Sequence, residues 1–103
     1  MPGQILTIVT ATVDANRETE LTTGFRELMT SSLPEGLIRT ELLRGQNGTW
    51  RIQSLWRDRA ALVAVRTKAE HPAALELFRS VGAGHSHEVF SVEYTHPCGI
   101  AET

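Results

Sequence analysis

The stretch IQSLWRDRAAL, residues 52–62, decides the fold because its hydrophobic period changes partway along. Up to Trp56 the spacing is that of a strand: Trp50, Ile52 and Trp56 share one face, with Leu55 on the other. From Asp58 onward it is that of a helix. Ala61, Leu62, Val65 and Ala69 form the apolar stripe and leave Arg59, Arg66 and Lys68 to the polar face. Asp58 is of the residue type that caps a helix N-terminus. A strand therefore hands over to a helix beside Trp56, whose indole either fills the gap between sheet and helix or walls a pocket there.

Upstream, the runs Leu37 to Arg44 and Thr49 to Arg57 flank GQNG, and Asn47-Gly48 is a strong hairpin signal because both residues tolerate positive φ. The two runs should pair antiparallel. Earlier still, ILTIVTATV (Ile5 to Val13) is rich in β-branched residues and reads as a strand. A helix should follow, with Leu21, Phe25, Leu28, Met29 and Leu33 at helical spacing. Asp14 or Asn16 would be its cap, Glu18 and Glu20 would lie in its first turn, and Pro34 and Gly36 would close it. Downstream, the helix opened by Asp58 should stop near Glu70. Pro72 disfavours helix at His71 but suits the start of a second helical piece carrying Leu75, Phe78 and Val81, ended by Gly82 and Gly84. His85 to Thr95 reads as the last strand.

The order strand, helix, strand, strand, helix in two pieces, strand predicts an α+β, ferredoxin-like βαββαβ fold, with an antiparallel sheet covered by helices on one face. Residues 1–103 read as one domain, with a core of about residues 5–95 and a tail from 97 to 103. In the last strand Val89 faces opposite to Phe90, Val92 and Tyr94, so the sheet carries apolar residues on both faces. A homodimer with its two sheets face to face is the expected way to bury the second set.

The formal net charge of -2, with no basic cluster, excludes the electrostatic footprint of a nucleic-acid binder or a polybasic membrane surface. No apolar run approaches the roughly 20 residues that span a bilayer. The single cysteine, Cys98, and the lack of a charged leader point to a cytoplasmic protein.

The element order, the length and the segment QSLWRDRAAL resemble the antibiotic biosynthesis monooxygenase (ABM) family of dimeric α+β barrel proteins, over about residues 5–95. The resemblance implies a homodimer with a small hydrophobic pocket between sheet and helices. Some members oxidise polyketide-type phenols with oxygen and neither metal nor flavin, others degrade haem, and many have no established activity. It thus implies a cofactor-independent monooxygenase acting on a small aromatic or polyketide-like substrate, with no cofactor and no metal. The alternative is a non-catalytic dimeric module that binds a small apolar ligand or fills the pocket with its own side chains. The first strand offers Thr10 and Thr12 where the haem-degrading members look to carry an asparagine, which ranks haem degradation low.

Oxygenation without a cofactor requires a flat apolar ring to be held, its anion stabilised and bulk water excluded. Trp56 is the candidate to orient the ring, Arg66 to stabilise the anion and His71 to take the proton. Trp50, Ile52, Leu28 and Phe78 are the candidate substrate contacts. Each also has a structural explanation: core packing for Trp56, an interface or rim position for Trp50, a solvated helix face for Arg66, and turn geometry for His71. With Leu42, Leu43 and Ile52 on the second and third strands, the pocket should be unusually apolar. His85 and His87 share one side of a strand, a geometry that can chelate a metal, although exposed polar residues at a strand start explain them equally.

Overall fold

A computed structural model describes residues 3–31, 33–68 and 73–97. Its elements are β1 (Ile5–Val13), a 3₁₀ turn (Ala15–Arg17), α1 (Glu18–Met29), β2 (Leu37–Arg44), β3 (Thr49–Trp56), α2 (Arg59–Lys68), α3 (Ala73–Val81) and β4 (Gly82–Ser91). The four strands form one antiparallel sheet in the order β2-β3-β1-β4. This is the α+β, ferredoxin-like arrangement that the element order predicts.

Register assigns the two faces. Across β1 and β3, Ile5 pairs with Trp56, Thr7 with Ser54, Val9 with Ile52 and Ala11 with Trp50. On β4, Val89 lies opposite Thr7 and His87 opposite Val9. These positions share the face that meets the helices. The buried residues there fall into two clusters at the two ends of the sheet. Val9, Ala11, Val13, Trp50 and Ile52 pack with Leu21 of α1 and with Phe78 and Val81 of α3. Ile5 and Trp56 pack with Ala61 and Leu62 of α2. The opposite face carries Leu6, Ile8, Leu43, Leu55 and Phe90 and, among the described residues, has no helix on it; Phe90 is 47% exposed.

The hairpin forms where Asn47-Gly48 places it. Asn47 (φ 58) and Gly48 (φ 79) both take positive φ, and the carbonyl of Gly48 accepts from the Val13 amide at 2.9 Å, tying the hairpin tip to the end of β1. Asp58 caps α2 as expected, its Oδ1 accepting from the Ala61 amide at 2.9 Å. Gly36, at φ 90, sits against the Cβ of Ala61, and its carbonyl accepts from the Arg57 amide at 2.7 Å, so the start of β2 is drawn onto the start of α2. A side chain at residue 36 would meet Ala61 in a conformation that L-residues rarely adopt.

Several boundaries depart from the sequence reading. Neither Asp14 nor Asn16 caps α1 with its side chain; the chain makes a 3₁₀ turn first, in which the Arg17 amide donates to the Asp14 carbonyl at 2.8 Å. α1 ends at Met29 and leaves Leu33 outside it, 45% exposed. The hydroxyls of Thr30 and Ser31 donate to the carbonyls of Glu27 and Leu28 at 2.7 and 2.6 Å, the local bonding that competes with helix continuation. Gly82 and Gly84 belong to β4 rather than to a loop, and β4 spans Gly82–Ser91 instead of 85–95. The register shifts between Ala11 and Thr12, whose partners are His85 and Ala83; Gly84 is the extra residue of a bulge that lets α3 pass straight into the strand. The expected helix break at His71-Pro72 lies outside the described residues.

Candidate active site

The Trp56 end of the sheet is not filled by the helices above it. A cavity open to solvent at its mouth lies between the inner face and α2. Its floor is Thr7 and Val9 of β1, Leu37 and Thr40 of β2, and Ile52, Ser54 and Trp56 of β3. Met29 of α1 and Pro34 close one side, Leu62, Val65 and Arg66 of α2 form the roof, and His87 of β4 stands at the far edge. Aliphatic carbon predominates in this lining, as in pockets that take small organic ligands.

Its polar atoms are ordered by strand register. Thr40 lies opposite Ser54, and Ser54 opposite Thr7, so three hydroxyls cross the floor in a row. Thr40 Oγ1 and Ser54 Oγ are 2.9 Å apart, and the indole Nε1–H of Trp56 donates to Thr7 Oγ1 at 3.0 Å. An indole can only donate, so this bond fixes the ring plane and leaves the Thr7 proton free to donate in turn. Two hydroxyls sharing one bond likewise leave one proton over. The floor therefore holds spare hydroxyl donors.

At the edge, Arg66 Nη2 lies 3.3 Å from His87 Nε2. A guanidinium has no acceptor, so the imidazole accepts through Nε2 and is neutral, with its proton on Nδ1. Partial burial, and secondarily the charge of Arg66, hold the His87 pKa below the ordinary histidine value.

The sequence-predicted residues separate into groups. Trp56, Ile52 and Arg66 meet at the cavity. Trp50 and Phe78 do not: both are buried at the other end of the sheet, 3% and 1% exposed, in the cluster built on α1 and α3. The expected rim position of Trp50 is thereby corrected; its indole packs beneath Glu18 and Arg44 instead of at an edge. Leu28 is half-buried on α1 and is not among the lining residues, whereas Met29, the next residue round the helix, is. His71 lies outside the described residues.

Sequence reasoning missed Thr7, Thr40, Ser54 and His87. The pocket is predominantly apolar, as expected, but not through the expected β2 residues: Leu43 points to the opposite face and Leu42 packs on the core, leaving Leu37 and Thr40 as the β2 residues on the floor. The signal was parity: His87 shares a face with Val89, two residues from it. Among the described residues no group of three His, Cys, Asp or Glu side chains could hold a metal ion. Among them, too, no helix is long and apolar enough to cross a membrane.

A βαββαβ sheet with helices on one face and an apolar, tryptophan-walled cavity between sheet and helix defines a ferredoxin-like α+β protein. The model of the antibiotic biosynthesis monooxygenase family matches residues 5–77, and the chain belongs to that family. No curated protein matches it. Among solved structures it is similar to a point mutant of SnoaB, a cofactor-independent oxygenase from Streptomyces nogalater, with TM-score 0.72 and 21% identity over 92% of this chain and 98% of that one. It is similar to a protein of unknown function from Nitrosomonas europaea, with TM-score 0.69 and 13% identity over 94% and 97% of the two chains. It is also similar to a mutant of MhuD holding two manganese protoporphyrin IX molecules per active site, with TM-score 0.67 and 20% identity over 90% and 98%. At these identities the likeness establishes the fold.

Proposed function

We propose that the protein is a cofactor-independent monooxygenase that oxidises a small aromatic or polyketide-like substrate with O2 in the Trp56 cavity. The observation that carries this reading is the composition of the cavity: a flat indole held in plane by Thr7, aliphatic walls, and polar groups confined to one row of hydroxyls and the Arg66–His87 pair. The family and the likeness to SnoaB support it.

The chemistry such a site serves is brief to state. A phenol or anthrone loses a proton, its delocalised anion passes an electron to O2, and the radicals combine to a peroxide. Loss of water from the peroxide leaves one oxygen atom as a new carbonyl. Trp56 orients the ring, Arg66 holds the anion's charge, and the aliphatic walls keep bulk water from the reactive anion. The free hydroxyl protons of the floor bind a substrate oxygen at the far side of the ring.

The reading includes a cytoplasmic homodimer, with the helix-free face of one sheet on that of another. Leu43, Leu55 and Phe90 on that face support it, and sedimentation at micromolar concentration tests it, a monomer counting against the arrangement. A second reading, a non-catalytic module that binds a small apolar ligand, is favoured by Val9, Leu37, Ile52, Leu62 and Val65 in the lining.

Oxygen uptake with planar phenols and anthrones, together with thermal shift, separates the two. A ligand at about 100 times its dissociation constant adds roughly 2.7 kcal/mol of stability. A shift accompanied by oxygen uptake, both lost in Trp56→Ala, is expected. A shift with no uptake selects the binding module, and no shift with any aromatic ligand removes both readings.

A further inference from the structure

Within the reading just given, the proton acceptor has still to be identified. Arg66 and His87 are the titratable side chains among the described residues lining the cavity. A guanidinium does not give up its proton near neutrality, and serine and threonine hydroxyls are far weaker bases than imidazole. We propose that His87 takes the proton of a hydroxyarene substrate and that Arg66 is the counter-charge to the oxygen anion left behind.

The geometry supplies both halves. The Nε2 lone pair of His87 faces Arg66 Nη2 across 3.3 Å, a long and weak contact. A substrate hydroxyl entering between the two donates to Nε2 and accepts from Nη2, replacing one poor hydrogen bond with two. In the transfer the substrate O–H bond breaks, an Nε2–H bond forms, and the electron pair stays on oxygen, giving an anion between imidazolium and guanidinium. Before substrate arrives, the adjacent guanidinium disfavours protonation of His87, so the base is free; afterwards the anion between the two cations removes that penalty. The same cation keeps the base ready and then stabilises its product.

Among the described residues, none that faces the ring is a carboxylate that would undo this. From β1 the ring is faced by Val9 and, on the diagonal, Thr7; from α2 by Arg66; on its own strand by Val89, while Glu88 lies on the opposite face of the sheet. From His87 to Ser54 is two strands across and two residues along, roughly 12 Å by strand spacing and rise. That span suits a flat fused-ring hydroxyarene with its ionising hydroxyl at His87 and an acceptor oxygen toward Ser54 and Thr7.

The test does not require turnover. A hydroxyarene whose anion absorbs in the visible, such as 4-nitrophenol, is bound and titrated spectroscopically in the wild type, His87→Gln and Arg66→Gln. Both replaced residues are exposed at the surface, and unchanged melting curves establish that the variants fold. In the wild type the bound phenol should ionise at a pH at least one unit, tenfold in proton concentration, below that of the free phenol. Either substitution should return that value toward the free one while binding persists. With a substrate that is turned over, His87→Gln should lower the rate by about a hundredfold or more and flatten the pH profile. Binding of the phenol in its neutral form to the wild type, or ionisation unchanged in both variants, overturns this proposal alone. Failure of every phenol to bind overturns the pocket reading with it.

Discussion

The two tryptophans of β3 lie on the same face of the same strand, six positions apart, and serve opposite ends. Trp50 is closed in: α1 and α3 meet over it, its indole N–H donates to Glu18 at 3.2 Å, and the Arg44 guanidinium sits 4.7 Å from its ring centroid. Trp56 is left with one face on a cavity, because among the described residues the helix over that end is α2, which covers it with Ala61, Leu62 and Val65, side chains too small to fill the gap. Residue type and strand position are shared, so the helix overhead decides whether an indole becomes core or wall. The bonding of the two N–H groups follows the same division: one goes outward to a charged surface, the other along the pocket floor.

The comparison can be broken by truncating each ring. Trp50→Ala should cost the most stability, about 3–5 kcal/mol, because it empties a closed core site. Trp56→Ala should cost about half of that in urea denaturation, because its cavity exists already, yet it should abolish ligand-induced stabilisation. Equal stability losses would show that the two ends are packed alike. Below these in size, Glu18→Gln or Arg44→Ala should sharpen the picture at the closed end by less than about 1 kcal/mol, since these charges remain partly solvated around the buried indole.

The smallest effect should be a pH dependence at the open end. The folded-state pKa of His87 is lowered, so the unfolded chain binds the proton more tightly. The stability that neutral His87 leaves intact is present above its unfolded pKa of about 6.5 and is lost as the pH falls below that value. Wild type and His87→Gln compared by chemical denaturation across that pH should diverge slightly on the acid side. Divergence on the alkaline side would reverse the assignment.

How much of this was legible in the sequence depended on the range of the interaction. Asp58 as a cap and Asn47-Gly48 as a turn act over three or four residues, and both formed where they were read. Helix ends set by neighbouring hydroxyls, as at Thr30 and Ser31, are local as well but compete with a continuing apolar pattern that reached Leu33. The site is a product of register. That Thr40, Ser54 and Thr7 line up, or that His87 stands opposite Val9, depends on pairings across as many as 78 positions of chain, and on a one-residue bulge at Gly84 that no periodicity announces. Trp56 and Arg66 were legible as neighbours because a single strand-to-helix handover carries both.

The position of β4 beside β1 has a consequence for how the molecule comes into being. As the chain emerges during synthesis, β1, β3 and β2 can pair and α3 can dock before residues 82–91 are available. Until then β1, which becomes an interior strand, is an exposed edge with a ready row of unpaired amides and carbonyls. The segment that finally covers this edge also brings His87. Sealing the sheet against misassociation and completing the pocket are therefore one event, and a chain interrupted after Val81 would be at once sticky and chemically incomplete.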